Sequence, residues 1–189
     1  MTRILAKLLA LTVWGLCSMG ADLAYAQQAF AAERGHVEFR SSVPLHSFSG
    51  RSDHLTGRIS LADSTVDFYV DLTTLKTGNG KRDKDMRKTL KTKEYPFAEF
   101  FGTLTTPFDS LDTEPQRALV RGIFKIHGIE RELEVAGTLQ LTGDELRLNA
   151  AWELSLADYE IKPPRLLIIK VADTQRVSIE TELKRETTQ

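Results

Sequence analysis

Cysteine is almost missing from this sequence. Its 189 residues hold one, Cys17, and that one lies in a leader-like stretch. Residues 1–26 read as a cleaved signal peptide. Arg3 and Lys7 give a positive start, residues 8–16 form an apolar core, and Ala24-Tyr25-Ala26 fits a cleavage site. The apolar core is too short to span a bilayer. Leu16 stands before Cys17 where a lipoprotein signal would carry a small residue. A mature chain without cysteine has no disulfide, no thiol nucleophile and no Cys-ligated metal. The expected location is periplasmic. Roughly 160 residues remain after cleavage, a size for one domain with its own core.

An excess of charge is missing too. Lys and Arg number 25 against 26 Asp and Glu, for a net charge of −1. That balance excludes nucleic acid as the main partner. After the signal no apolar run is long enough for a membrane span. Histidine is sparse: His36, His46, His54 and His127. His46 and His54 flank a polar loop and could meet in space, but a metal site needs three or four ligands, so no metal is expected. Ser47-Phe48-Ser49-Gly50 lacks the flanking glycines of a nucleophile elbow. No pair of inward carboxylates suggests acid–base work. No enzymatic activity is expected, and no cofactor.

What the sequence does have is alternation. Residues 27–35 are rich in Ala and Gln and read as a flexible lead-in. The domain proper is expected over 36–185. A first strand runs over 36–45, followed by a polar loop at 46–54. Further strands follow at 55–61, 66–72, 98–104, 119–126, 132–141, 146–156 and 176–184, each alternating apolar and polar residues. His127-Gly128 and Gly143-Asp144 are two-residue turns between them. Residues 158–164 end in a double proline and cannot form a central strand. Residues 166–171 are apolar without alternation, as in a buried edge strand or a packed loop. The tail 185–189 is expected to fray.

One stretch breaks the pattern. Residues 77–101 open on Gly78-Asn79-Gly80, become strongly charged, and stop at Pro96. Met86 and Leu90 are four apart, one face of a helix. Asp83 and Asp85 come early and Arg87, Lys88 and Lys91 late, as a helix dipole favours. A short amphipathic helix is therefore expected between two strands, with Met86, Leu90 and Tyr95 packed over the barrel.

About eight strands joined by short turns suggest an all-β, antiparallel up-and-down meander. Closing it into a barrel removes two exposed edges and buries its apolar face. The helix would then cap one end. The inward set includes Phe39, Phe68, Phe100, Phe124 and Trp152. Leu55, Ile59, Val70, Leu139, Leu148 and Ile179 join it. Such a barrel either fills its interior or encloses one small ligand. Alternation alone favours the filled core. Gly57, Gly102, Gly122 and Gly137 on the inner face relieve bending or leave room.

Thr77-Gly78, Arg82-Asp83, Met86-Arg87, Leu90, Tyr95-Pro96 and Phe100 follow one another in a set order. In that order they resemble the YceI-like, or polyisoprenoid-binding, family. Val120-Arg121-Gly122, Ile126-His127-Gly128 and 131–135 continue it. In the first hairpin Gly57-Arg58 is kept, with Ile59 in place of an aromatic. The resemblance implies an exported, lipocalin-like barrel enclosing an apolar tunnel for an isoprenoid lipid, a quinone or polyprenyl chain. The inward residues named above, with Met86 and Leu90, would then meet the chain. Arg82 and Arg87 would meet a polar head, or only fix their own loop. Transient contact with a membrane or a membrane protein, and a homodimer, stay open as partners. The rival readings are a filled barrel acting in stress response or protein interaction, and an enzyme on the same scaffold.

Overall fold

The structure, a computed structural model, describes residues 28–43, 46–163 and 171–187. The signal peptide and most of the apolar segment 166–171 lie outside the described residues. Eight strands close into one antiparallel barrel in chain order: β1 Ala29–Val43, β2 His46–Ser60, β3 Thr65–Asp71, β4 Phe97–Leu104, β5 Gln116–Ile126, β6 Ile129–Thr142, β7 Glu145–Ser155 and β8 Thr174–Arg185. Pairing of β1 with β8 completes the ring. One helix, α1 (Gly80–Thr89), stands between β3 and β4. No helix among the described residues is long and apolar enough to cross a membrane.

Three expectations about the elements change. Residues 29–35 are not a loose lead-in but the first half of β1. They pair with β2 up to Ala29↔Ser60, across register shifts at Gly35. The polar stretch 46–54 is not a loop but the first half of β2, paired with β1 residue by residue from Val43↔His46 to Glu38↔Arg51. The tail does not fray at once. Glu186 N–H donates to the Ala29 carbonyl, and its carboxylate receives Arg58 Nε at 3.0 Å.

The core is the barrel interior. Ile59, Leu139, Leu146 and Leu183 are all but fully enclosed. Val66, Phe68 and Phe124 belong to the same cluster. On the outside, cross-strand ion pairs neutralise most of the strand cations: Arg51–Glu38, Arg121–Glu134, Lys125–Glu99 and Arg147–Glu182. Solvent-exposed pairs of this kind contribute little, so the barrel's stability rests on its interior.

Two strands approach closely where glycine faces glycine. Gly102 of β4 pairs directly with Gly122 of β5. A Cβ on Gly122 would press into the Phe101 carbonyl and lie 2.5 Å from Gly102 Cα. Backbone cannot step aside as a side chain can. Gly122→Ala should therefore destabilise the barrel by about 1–3 kcal/mol, read as a lower urea midpoint. An unchanged midpoint would show that β4 and β5 part without cost.

Candidate functional site

The interior is not completely filled. A cavity of about 340 Å³ runs through it. This answers the choice that alternation left open, and against the filled core. Small residues make the room. Ala118 of β5 pairs with Gly137 of β6, which pairs with Ala150 of β7, so three adjacent strands carry almost no side chain at one level. Gly57 serves the opposite wall differently. Its missing Cβ leaves the space that the Phe68 ring occupies.

Most of the residues expected on the inner wall border this cavity. Phe39, Leu55, Ile59, Phe68, Val70, Phe100, Phe124, Leu139, Leu148, Trp152 and Ile179 all border the cavity, as do Met86, Leu90 and Arg82. Arg87 does not. Its charge falls on Asp83 instead, which is the structural reading of that residue. Tyr95 is also corrected: it does not pack inward over the barrel. It is 37% exposed, and its ring packs edge-on to His127 at 5.9 Å.

Polar lining is confined to one end, where α1 lies. Asn79, Lys81, Arg82 and Asp85 of the helix segment border the cavity there. Arg82 is stacked on the Phe48 ring, its guanidinium carbon 4.4 Å from the centroid. Phe48 meets Phe39 edge-to-face at 6.1 Å. Phe48 lines the cavity too, and sequence reasoning missed it by assigning it to a loop. The cation–π contact contributes about 0.5–2 kcal/mol and holds the start of α1 over the mouth.

Three devices fix the helix start. Asn79 is its N-cap, accepting from Lys81 N and Arg82 N at 3.1 Å each. Asp83, 7% exposed, accepts from Thr77 N at 2.8 Å and from Thr77 Oγ1 at 2.6 Å. A two-way backbone bridge joins Lys76 to Arg51 of β2. Burial pushes the Asp83 carboxyl up, but the Thr77 bonds, Lys76 and Arg87 together outweigh it and hold the pKa below the usual value. The helix ends at Thr89, before Pro96, because Lys91 turns left-handed at φ 49°.

The two histidines that could have met, His46 and His54, do not, whereas His36 and His54 border one surface pocket. His46 and His54 lie on the same strand, eight residues along, so extended backbone holds them roughly 26 Å apart. His36 Nδ1 lies 2.7 Å from the exposed Asp53 carboxylate. His127 and Gly128 both have positive φ, as a two-residue hairpin turn requires. His127 Nδ1 donates to the Tyr159 carbonyl at 3.0 Å, tying this turn to the β7–β8 connection. Among the described residues no three His, Cys, Asp or Glu side chains group as metal ligands. Toward the same end as the cap, where β7 ends and β8 begins, Trp152 Nε1 and Gln175 Oε1 are buried without a partner.

Comparison with known proteins agrees with this geometry. A polyisoprenoid binding domain from Saccharophagus degradans, implicated in plant cell wall breakdown, superposes with a TM-score of 0.71 at 19% identity, over 84% of this chain and 99% of that one. Burkholderia cenocepacia BcnA gives 0.65 at 13% identity, over 79% and 95%. The Campylobacter jejuni YCEI protein gives 0.59 at 14%, over 77% and 90%. At such identities the likeness is one of fold. A search of the curated proteins returns no match. The model of the YceI-like domain matches residues 29–183, from the start of β1 into β8. The chain belongs to the YceI-like family.

Proposed function

We propose that this protein is an exported, periplasmic carrier that holds an isoprenoid-type lipid, a quinone or polyprenyl chain, inside its barrel. The carrying observation is the cavity: apolar walls throughout, with polar residues only at the helix-capped mouth. The similar polyisoprenoid binding domain supports the ligand class. We read a binding role rather than catalysis: among the described lining residues Asp85 is the only carboxylate, and acid–base work commonly uses a positioned pair.

Size bounds the cargo. An apolar cavity of about 150 Å³ holds a benzene ring. At about 340 Å³ this one encloses roughly a dozen carbons, two to three isoprene units. A longer chain must leave through the mouth. Burying a dozen carbons gives about 10 kcal/mol gross at about 0.8 per methylene. Association costs of at least about 4 kcal/mol leave at most about 6 kcal/mol, a dissociation constant in the tens of micromolar or weaker. Nothing polar is required for that affinity.

Trp152 offers the readout. It is the single tryptophan of the described residues and lines the cavity. Protein purified from its own periplasm should yield a stoichiometric polyprenyl species on native mass spectrometry. Its mature chain should begin at Gln27. Emptied protein should lose Trp152 fluorescence on taking up a quinone. Repeated recovery of empty protein, with no quenching by quinone or polyprenyl lipid, would sink the reading.

A further inference from the structure

We infer that the cap helix and the strand ends beneath it form a docking face for an anionic lipid bilayer. This rests on reading the cavity as a lipid site, and it names the surface from which the lipid is exchanged. The chain as a whole is nearly neutral. Five lysines of the cap segment, however, gather exposed positive charge at the mouth. Lys81, Lys84, Lys88, Lys91 and Lys93 are all exposed. On the wall, by contrast, cations face carboxylates across the strands, as in Arg58–Glu186, Arg147–Glu182 and Arg185–Asp144. None of the ion pairs among the described residues involves the cap lysines. The one buried carboxylate of the helix, Asp83, is turned onto Thr77. The cap therefore presents a cationic surface that its own fold leaves unmatched. Basic clusters of this kind are drawn to anionic headgroups within a Debye length.

Apolar anchors stand beside it. Tyr69, Tyr95 and Phe97 are exposed at 44%, 37% and 40%. Phe97 opens β4 directly after the cap segment, and its ring meets Tyr69 edge-on at 5.8 Å. Tyrosine and phenylalanine next to lysine suit the headgroup boundary, where rings insert and ammonium groups stay wet. In the eight-strand ring β3 and β4 lie opposite β7 and β8. The β7–β8 connection starts at the same end of the barrel as the cap. The bilayer then meets the mouth, and a chain can pass without crossing water.

Vesicle co-sedimentation of the full mature protein tests this. Vesicles of phosphatidylcholine alone should retain little protein. Vesicles with a third phosphatidylglycerol should retain it, and 0.5 M salt should release it. The triple variant Lys84→Ala/Lys88→Ala/Lys91→Ala should partition about a hundredfold more weakly, at about fivefold per lysine. A control at the opposite end, Arg117→Ala/Lys184→Ala, should partition as the parent does. Equal binding to both vesicle types, or an unmoved triple variant, would overturn the proposal. So would the absence of vesicle binding, which would leave the lysines to an acidic protein or to solvent. Quinone uptake from detergent micelles, read at Trp152 on the same variants, tests the cavity separately. Its loss in the parent would count against the carrier reading, whatever the vesicles show.

Discussion

The double variant Ala118→Phe/Ala150→Phe should fold and yet take up no isoprenoid chain. Both alanines border the cavity, and both are buried, at 3% and 9% exposure. They flank Gly137 on adjacent strands, where the inner wall is thinnest. Each added ring occupies roughly 100 Å³ at interior packing density, so two claim more than half of the 340 Å³ available. Too little remains for even two isoprene units. Stability should hold or rise, because rings entering an existing void gain contacts without displacing neighbours; such filling commonly adds about 0.5–2 kcal/mol. Quinone quenching of Trp152 should fall by more than a hundredfold while the thermal midpoint stays level or climbs. A stable variant that still binds stoichiometric lipid would show that the chain lies outside the barrel. A collapsed midpoint would show that the rings cannot enter, and Ala118→Leu would then be the milder form of the same test.

Much of this site was legible because a strand's period of two assigns every residue to a face. From residue 55 onward the alternation named the inner wall, and the cavity is bordered by the residues it named. The first hairpin resisted for a definite reason. The buried residues Phe30 and Ala32 are even-numbered, whereas Val37, Phe39 and Ser41, which follow the irregularity at Gly35, are odd-numbered. A bulge reverses the phase, so a period-two reading loses the strand across it. The segment 46–54 hid in another way. Its Ser, Gly and His residues show no apolar face. It is a strand because backbone pairing with β1 needs no side chain. Gly50 even makes room for the Phe39 ring beside it. Phe48 was lost with that segment. Arg87 failed on helical phase: five residues after Arg82, it points about 140° away and stands one turn above Asp83. The hollow itself was not legible. Alternation reports which residues face inward, not how completely they fill the space between them.

Replacing Asp83 with alanine should open the cap and leave the barrel standing. The carboxylate satisfies both the amide and the hydroxyl of Thr77, and hydrogen bonds to a charged group contribute about 1.5–3 kcal/mol each. Part of this returns when the freed groups meet water, so a loss of about 3 kcal/mol is expected. A ten-residue helix cannot hold itself in water. It stays because Asn79, Asp83, Met86 and Leu90 fix it from below. Without Asp83 it should detach locally, while the strands keep their ladder. Amide exchange at Thr77 and Asp83–Leu90 should accelerate roughly a hundredfold, lipid release should quicken to match, and the global midpoint should move little. The pH dependence follows from the same bonds. The folded Asp83 pKa lies below its ordinary value of 3.8, so its contribution is fully present above that value. It is lost as the pH falls through the lower, folded pKa. Release from the parent should therefore be slow and flat from pH 7 to about 5, then quicken in strong acid. Asp83→Asn should lose that acid-dependent step. If both variants release lipid as slowly as the parent at neutral pH, the cap is not the gate and the chain leaves by another route.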